Sequence, residues 1–311
     1  MGFSQGYGPA EDPESVAAIM SALDLGITML DTAMSYGGGH NERLVARALA
    51  GRQTGTGRVT IATKFGIVRE GDQVHVDAHP DRIRGYCEGS LRRLGVDVID
   101  LYYLHRVDPS VPLADTVGAM AELVAEGKVR HLGLSEVTPD ELAQAAAVHP
   151  IAAVQFEWSL LWREPENDIV PAARALGVGV VPYSPLGRGL LTATLDRTSV
   201  AATNYRAGDP RFQGETLDRN LRQVDVLRSA AADLGFTPAQ LALAWLLAQG
   251  TDIVPIPGSR RPARIAENAR ATEVHLSQAD LARLDALLPA AAWAGDRRSF
   301  AARATTRTAP P

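Results

Sequence analysis

The chain has 311 residues, of which 46% are hydrophobic and 22% are charged, a composition typical of a folded globular protein and unlike that of a disordered one. The formal net charge of −5 argues against the large basic surface that nucleic acid or an anionic membrane would require. No apolar run approaches the roughly 20 residues of a membrane-spanning helix, and the N-terminus lacks a signal-peptide pattern. We therefore expect a cytoplasmic protein with neither nucleic acid nor membrane as a partner.

Short β-branched runs alternate with longer amphipathic stretches, and this alternation predicts βα units around a parallel sheet. The predicted strands, in chain order, are 28–31, 59–64, 98–102, 129–134, 153–156, 179–182 and 252–255. The predicted helices are 13–25, 41–48, 80–94, 113–126, 139–147, 167–176, 217–234, 238–248, 261–269 and 277–288. Several of these helices begin with proline, which suits a first helical turn because the missing N–H would be unpaired there.

Two segments lack this periodicity. Residues 186–214 are rich in Gly, Thr, Asn and Pro, which predicts a long loop over one mouth of the fold. Residues 301–311 are small and polar and end in two prolines, so we expect a disordered tail. The α/β pattern predicts a (β/α)8 TIM barrel, with residues 1–300 as one domain, since barrels of this size are often single units.

Polar residues stand at the end of, or just after, six of the predicted strands. These residues are Asp31, Lys64, His105, Ser135, Gln155 and Tyr183. In a (β/α)8 barrel the C-terminal strand ends converge on one face, where the active sites of this fold are found. One such residue could equally be a solvated loop residue or part of a structural ion pair, whereas six together predict a shared cleft.

Six sequence motifs contain these positions, and a seventh follows later in the chain. They are LDTAMSYGGGHNE, TIATKFG, DVIDLYYLHRVD, GKVRHLGLSEV, VQFEWSL, YSPLGRG and PIPGSRRPARIAEN. In this order they resemble the motifs of the aldo/keto reductase family, and the resemblance runs from about residue 1 to residue 269. It implies a cofactor-dependent enzyme that reduces an aldehyde or ketone to the alcohol.

The resemblance implies that Asp31, Tyr36, Lys64 and His105 form the catalytic tetrad. Hydride transfer to a carbonyl carbon builds negative charge on oxygen, and a phenol can supply the proton because its usual pKa is about 10. We expect Lys64 to lower the pKa of Tyr36, and Asp31 to pair with Lys64. His105 would orient the carbonyl oxygen by hydrogen bonding.

The resemblance also implies NADPH as the cofactor. The chain contains no G-x-G-x-x-G motif, which argues against a Rossmann dehydrogenase. By resemblance, Tyr183 stacks on the nicotinamide, Ser135 and Gln155 hold its carboxamide, and the pyrophosphate and adenosine are bound by Ser184, Leu186, Gly187, Gly189, Ser259, Arg260, Arg264, Glu267 and Asn268. Arginines 260 and 264 supply the forked cation that a 2′-phosphate favours, which predicts NADPH over NADH.

The chain departs from the family pattern in two places. Glu136 stands where many members have Asn after the serine of this strand end. The family's N-terminal hairpin and first barrel strand also have no counterpart, since the chain begins at the turn Met1-Gly2-Phe3-Ser4. We expect most or all of that first strand to be missing, through a start assigned downstream of the true one or through truncation. A barrel without it would expose unpaired strand edges.

Two other functions remain open at this stage. The chain could be a cofactor-binding regulatory subunit that keeps the barrel, or a truncated inactive paralogue. No metal is expected, because the alternating His75, Asp77 and His79 read as a surface loop before a helix. Cys87 is predicted to be a buried packing residue, and Trp158 and Trp162 to line the substrate mouth or pack its rim.

Overall fold

Six parallel strands form the central sheet of the computed structural model, which describes residues 1–52, 59–71, 73–201 and 204–297. They are β1 (Met29–Asp31), β2 (Thr60–Phe65), β5 (Ile99–Leu104), β6 (Val129–Ser135), β7 (Ile151–Glu157) and β8 (Gly179–Tyr183), hydrogen-bonded in this order. Every neighbouring pair is parallel, so all the carboxyl ends lie at the same edge of the sheet.

Helices follow the strands and cover the outside of the sheet. Those of the βα units are α1 (Asp12–Asp24), α2 (His40–Leu49), α3 (Pro80–Leu94), α4 (Leu113–Ala125), α5 (Pro139–Val148) and α6 (Ile169–Ala175). Later in the chain lie α7 (Arg197–Ala201), α8 (Asn204–Ala207), α9 (Gly214–Leu234), α10 (Pro238–Leu247), α11 (Pro262–Ala269) and α12 (Gln278–Leu287). The predicted α/β barrel class is therefore confirmed, and the expected loss of the first strand stays a prediction.

Local sequence explains where several helices begin. Thr138 and Thr237 each accept a hydrogen bond from the backbone N–H three residues on, and the residue at that position bonds back to the threonine N–H. Such capping boxes satisfy backbone donors that the first helical turn leaves unpaired. A proline follows each threonine at the first helical position, as predicted.

One local prediction was right only in part and another was wrong. The predicted seventh strand, 252–255, pairs in parallel with β8 through a single bridge from Ile253 to Val180, flanked by backbone hydrogen bonds from Val180 to Asp252 and from Val254 to Val180, both at 2.9 Å. The segment expected to be a loop before α3 is instead a hairpin of β3 (Ile67–Glu70) and β4 (Gln73–Val76). Its strands are four residues long and half exposed, so they carry little of the apolar alternation that identifies a strand.

The predicted loop 186–214 is irregular but contains several short helical turns, among them α7 and α8. The predicted tail, 301–311, lies outside the described residues. No single described helix is long and apolar enough to cross a membrane, although α9 and α10, joined at an 85° bend, together meet the length and composition for a bent span.

The core lies between the sheet and its helices. Phe65 stacks on Tyr102 with ring centroids 4.9 Å apart, and both side chains are fully buried. On the opposite face of β5, the ring of Tyr103 lies so close to Gly133 that a Cβ added there would stand 2.5 Å from two ring carbons. The buried thiol of Cys87, whose pKa is raised to about 12 by burial, confirms its prediction as a packing residue.

Candidate active site

The carboxyl ends of the strands bring together side chains that are far apart in the sequence. Asp31 ends β1, Lys64 lies near the end of β2, His105 follows β5 directly, and Gln155 lies in β7. The backbone N–H of His105 donates to the Phe65 carbonyl at 2.9 Å, which fixes the His105 strand end beside that of Lys64. Parallel pairing therefore gathers a carboxylate, an ammonium, an imidazole and an amide in one place.

Lys64 and Asp31 form a buried ion pair at the centre of this group. The Lys64 ammonium is inaccessible to solvent and donates to an Asp31 carboxylate oxygen and to the Thr32 carbonyl, the latter at 2.8 Å. Gln155 Nε2 donates to the other Asp31 oxygen at 2.9 Å. Burial lowers the pKa of Lys64, and the charge and hydrogen bond of Asp31 oppose this shift only in part. The Asp31 carboxylate is therefore the group that stabilises the charged form of the buried ammonium.

Tyr36 lies in the turn between β1 and α2, against both Lys64 and His105. Its ring centroid is 5.3 Å from Lys64 Nζ and 5.8 Å from the His105 ring, which it meets edge-on at 80°. Three glycines follow it, Gly37–Gly39, and all have positive φ, which lets the chain reverse into α2. The structure therefore links the four predicted tetrad residues in a chain of contacts, from Asp31 to Lys64, Tyr36 and His105.

The expected lowering of the Tyr36 pKa was wrong. Burial raises the pKa of this phenol, and the negative charge of Asp31 raises it further. The charge of Lys64 has little effect because Asp31 compensates it at hydrogen-bond distance. The phenol therefore keeps its proton at neutral pH.

His105 is 7% exposed, and its Nδ1 has no hydrogen-bond partner among the described residues. Burial holds the pKa of His105 well below its usual value, and the positive charges of Arg106 and Lys64 lower it further. At neutral pH the ring is an uncharged imidazole, which can accept and donate hydrogen bonds but is not an acid.

This lowered pKa predicts a loss of stability toward acid. Below about pH 6.5 the imidazole binds a proton in the unfolded chain but stays unprotonated in the folded protein. The free energy of unfolding should therefore decrease as the pH is lowered, by up to about 1.4 kcal/mol per pH unit. Urea unfolding of the wild type and of His105→Asn between about pH 8 and pH 5.5 measures this effect, and the variant should show the smaller pH dependence. Equal pH dependence in the two proteins would contradict the prediction.

The side chains expected around a nicotinamide lie at the same carboxyl edge of the sheet, and each makes a contact that was not expected. Ser135, at the end of β6, accepts a hydrogen bond from Arg106 at 3.2 Å, and Gln155 is directed to Asp31. The Tyr183 hydroxyl donates to Glu136 Oε1 at 2.8 Å. Glu136 is 2% exposed and therefore lines the buried wall of the cleft behind Tyr183.

The residues expected along the pyrophosphate form the turn that follows β8. Ser184, Gly187 and Gly189 all have positive φ, of 49°, 54° and 95°. A Cβ at Gly187 would stand 2.8 Å from Leu161 Cδ2, and Leu186 packs against the core. Glycine is therefore the residue that fits this turn, because any side chain would be strained by the backbone conformation and, at position 187, would collide with Leu161.

The residues expected at the adenosine end lie on segment 259–268, at and just before α11. Arg264 pairs with Glu267 at 2.7 Å, and its side chain is 39% exposed. The exposed Arg260 donates to the Pro9 carbonyl at 2.8 Å. Ser259 Oγ accepts from the Arg261 backbone N–H, and Asn268 is buried. They lie apart from the ion pair of Asp31 and Lys64, along the segment that leads into α11 and through it.

A buried network of charges beside the cleft was missed by sequence reasoning. Arg211 donates to Glu157 at 2.5 Å and to Asp209 at 2.8 Å, and all three side chains are inaccessible to solvent. Arg188 pairs with Asp209 at 3.0 Å. The members of this network lie in different strands and loops, so their spacing in the sequence does not reveal that they are paired. One detectable signal is the charged Glu157 in the otherwise uncharged segment VQFEW, since a charge at a buried position needs a partner.

The two predicted tryptophans pack rather than line the mouth. Trp158 is 1% exposed and donates to Glu166 at 3.0 Å. Trp162 is fully buried, with the Arg297 and Arg211 guanidinium carbons 5.4 and 6.0 Å from its ring centroid. Within the described ranges, no group of three or more His, Cys, Asp or Glu side chains could hold a metal ion.

Comparison with known proteins gives concordant matches over nearly the whole chain. A sequence profile of the aldo/keto reductase family matches residues 1–289. A probable aldo-keto reductase 1 from Glycine max is 44% identical over 299 residues, which cover 96% of this chain and 86% of the relative. The structure of a glycerol dehydrogenase from Gluconobacter oxydans superposes with a TM-score of 0.82 at 31% identity, covering 92% of this chain and 88% of the other. An aldo/keto reductase from Klebsiella pneumoniae, solved with NADP and acetate, has a TM-score of 0.71 at 30% identity, with the same coverage.

Proposed function

The chain belongs to the aldo/keto reductase family, and from this membership we propose that it reduces an aldehyde or ketone to the alcohol, with NADPH as cofactor and Tyr36 as the proton donor. The observation that carries the proposal is the contact of Tyr36 with both Lys64 and His105 at the carboxyl end of the sheet. The matched Klebsiella pneumoniae structures, one with NADP and one with NADPH, support the choice of cofactor.

Features of this chain fit an extended dinucleotide. The turn 186–189 combines glycines in left-handed conformations with a close approach to Leu161, so its backbone can lie directly against a phosphate group. Arg264 presents a half-exposed guanidinium at the start of α11, and its planar fork suits a 2′-phosphate. Tyr183, at the end of β8, would form one wall for the nicotinamide, with Ser135 and Gln155 beside its carboxamide.

The tetrad residues then have distinct tasks. A bound NADPH supplies the hydride that attacks the carbonyl carbon. Tyr36 holds a proton at its phenol oxygen and transfers it to the carbonyl oxygen as negative charge develops there. The uncharged His105 donates a hydrogen bond to the same oxygen and orients it. Lys64, held by Asp31, packs against the Tyr36 ring and holds it in place, and solvent returns the proton to Tyr36 after transfer.

The test is oxidation of NADPH by the purified protein, followed by nicotinamide absorbance, against aromatic and aliphatic aldehydes, ketones and sugars. We expect turnover with at least one of these classes and lower kcat/KM with NADH, because Arg264 is matched to the 2′-phosphate. Tight NADPH binding without turnover on the whole panel would favour a regulatory subunit. Failure of the folded protein to bind NADPH would contradict the proposed cofactor and favour an inactive paralogue.

A further inference from the structure

An ion pair behind Tyr183 joins the segment after α12 to the wall of the cleft. Arg297 donates to both carboxylate oxygens of Glu136, at 2.6 Å each, and the two side chains are at most 1% exposed. The fork of a guanidinium on a carboxylate is among the strongest geometries for such a pair, and an unpaired charge would be costly at this depth. The residues are 161 positions apart, so this contact fixes the C-terminal segment on the cleft.

Glu136 makes contacts to the cleft wall besides this pair. Its Oε1 accepts from the Tyr183 hydroxyl at 2.8 Å and from the Glu157 backbone N–H at 3.2 Å. Its backbone has a φ of 57°, a left-handed conformation that costs a non-glycine residue energy and is most often retained where function requires it. Burial works to raise the pKa of Glu136, but the hydrogen bonds and charge of Arg297, together with the charge of Arg106 and the Tyr183 hydroxyl, outweigh it, so the carboxylate stays ionised.

We propose that the Glu136–Arg297 pair is a positioning and charge-balancing device for the nicotinamide, which holds Tyr183 in place while keeping the wall behind it electrically neutral. This inference rests on the proposed function, in which Tyr183 packs against the nicotinamide. The nicotinamide ring is positively charged in NADP⁺ and neutral in NADPH. A net charge on this wall would therefore change the affinity for one redox form relative to the other, whereas a neutral pair favours neither.

Removing one partner exposes the charge of the other. Arg297→Gln leaves Glu136 with Arg106 as its only nearby cation among the groups that act on it, and should raise the affinity for NADP⁺ relative to NADPH by roughly tenfold. Glu136→Gln removes the bidentate partner of Arg297, leaves the Glu157 carboxylate as a weaker compensating charge, and should shift the ratio of the two dissociation constants in the opposite direction by a similar factor. The double variant, with Gln at both positions, should return the ratio to the wild-type value.

The experiment measures the dissociation constants of NADP⁺ and NADPH by fluorescence titration at about pH 8 and again at about pH 9.5, because burial raises the pKa of Glu136 once Arg297 is removed and the charge effect requires an ionised carboxylate. Arg297→Lys is the matched control, because it keeps the charge and loses only the planar fork. Limited proteolysis of the nucleotide-free proteins provides a second readout: loss of the ion pair should speed cleavage near Arg297 in Arg297→Gln and Glu136→Gln alike.

We expect the ratio of the two dissociation constants to shift in opposite directions in the two single variants. The lysine control and the double variant should keep the wild-type ratio. Equal losses of affinity for both nucleotides in both variants would reduce the pair to a structural contact and overturn the proposal. Failure of the wild-type protein to bind either nucleotide would contradict the proposed function itself and this inference with it. Unchanged ratios in variants that bind both nucleotides contradict this inference alone.

Discussion

Replacing Tyr36 with Phe should lower kcat for carbonyl reduction by about 100-fold or more, which is the usual contribution of a positioned acid. The ring would remain edge-on against His105 and beside Lys64, so only the hydroxyl that holds the proton is lost. Because the phenol is expected to contact the substrate rather than the nucleotide, the dissociation constant of NADPH should stay within about twofold of the wild-type value. Steady-state kinetics and fluorescence titration measure the two quantities.

Tyr86→Phe is the matched control for this substitution. Tyr86 lies on α3, and its hydroxyl donates to Asp77 at 2.8 Å rather than to a tetrad residue, so its removal should leave kcat nearly unchanged. Wild-type turnover in Tyr36→Phe would remove this residue from the mechanism. An equal loss in both variants would show that the tetrad hydroxyl has no special role.

Replacing Arg211 with Met should lower the free energy of unfolding by about 3–5 kcal/mol, the range measured when one member of a buried ion pair is removed. The substitution keeps an unbranched apolar side chain but leaves the carboxylates of Glu157 and Asp209 with one cation fewer at full burial. Arg188 pairs with Asp209 and lies 4.0 Å from Glu157, so it compensates only part of that charge. Urea unfolding measures the change.

Arg228→Met is the control, because Arg228 also pairs with an aspartate but in an exposed position on α9. Exposed pairs contribute about 0–1 kcal/mol, so this variant should unfold almost as the wild type does. A loss below about 1 kcal/mol in Arg211→Met would mean that the buried network contributes no more than a surface pair.

The fold was largely predictable because most of its strands are short apolar runs bounded by turns and followed by amphipathic helices. Strands β2 and β5 are buried almost throughout, and this continuous burial is what their apolar sequence indicates. The hairpin β3–β4 was missed because its exposed residues lack that signal. Segment 252–255 is extended and hydrogen-bonded to β8, as its β-branched run indicates, but the pairing is limited to one bridge and so is shorter than predicted.

The part of the site that was predictable consists of side chains that each stand at the end of a different strand. The parallel sheet alone places Asp31, Lys64 and His105 together, and Tyr36 follows from the glycine turn behind it. The direction of the Tyr36 pKa shift could not be inferred, because it depends on how much water the folded protein excludes and on how closely Asp31 compensates Lys64. The Glu136–Arg297 pair was equally hidden, since its partners are 161 residues apart.

The contact between Gly133 and the ring of Tyr103 sets a limit on engineering this protein. The Tyr103 ring packs against Gly133, and its centroid is 5.8 Å from Lys64 Nζ. The same ring therefore contacts both Gly133 and the buried ammonium. Even a methyl group at position 133 would push that ring toward Lys64. Any library aimed at new substrates should therefore leave residue 133 unvaried and place its diversity in the loops around the barrel mouth.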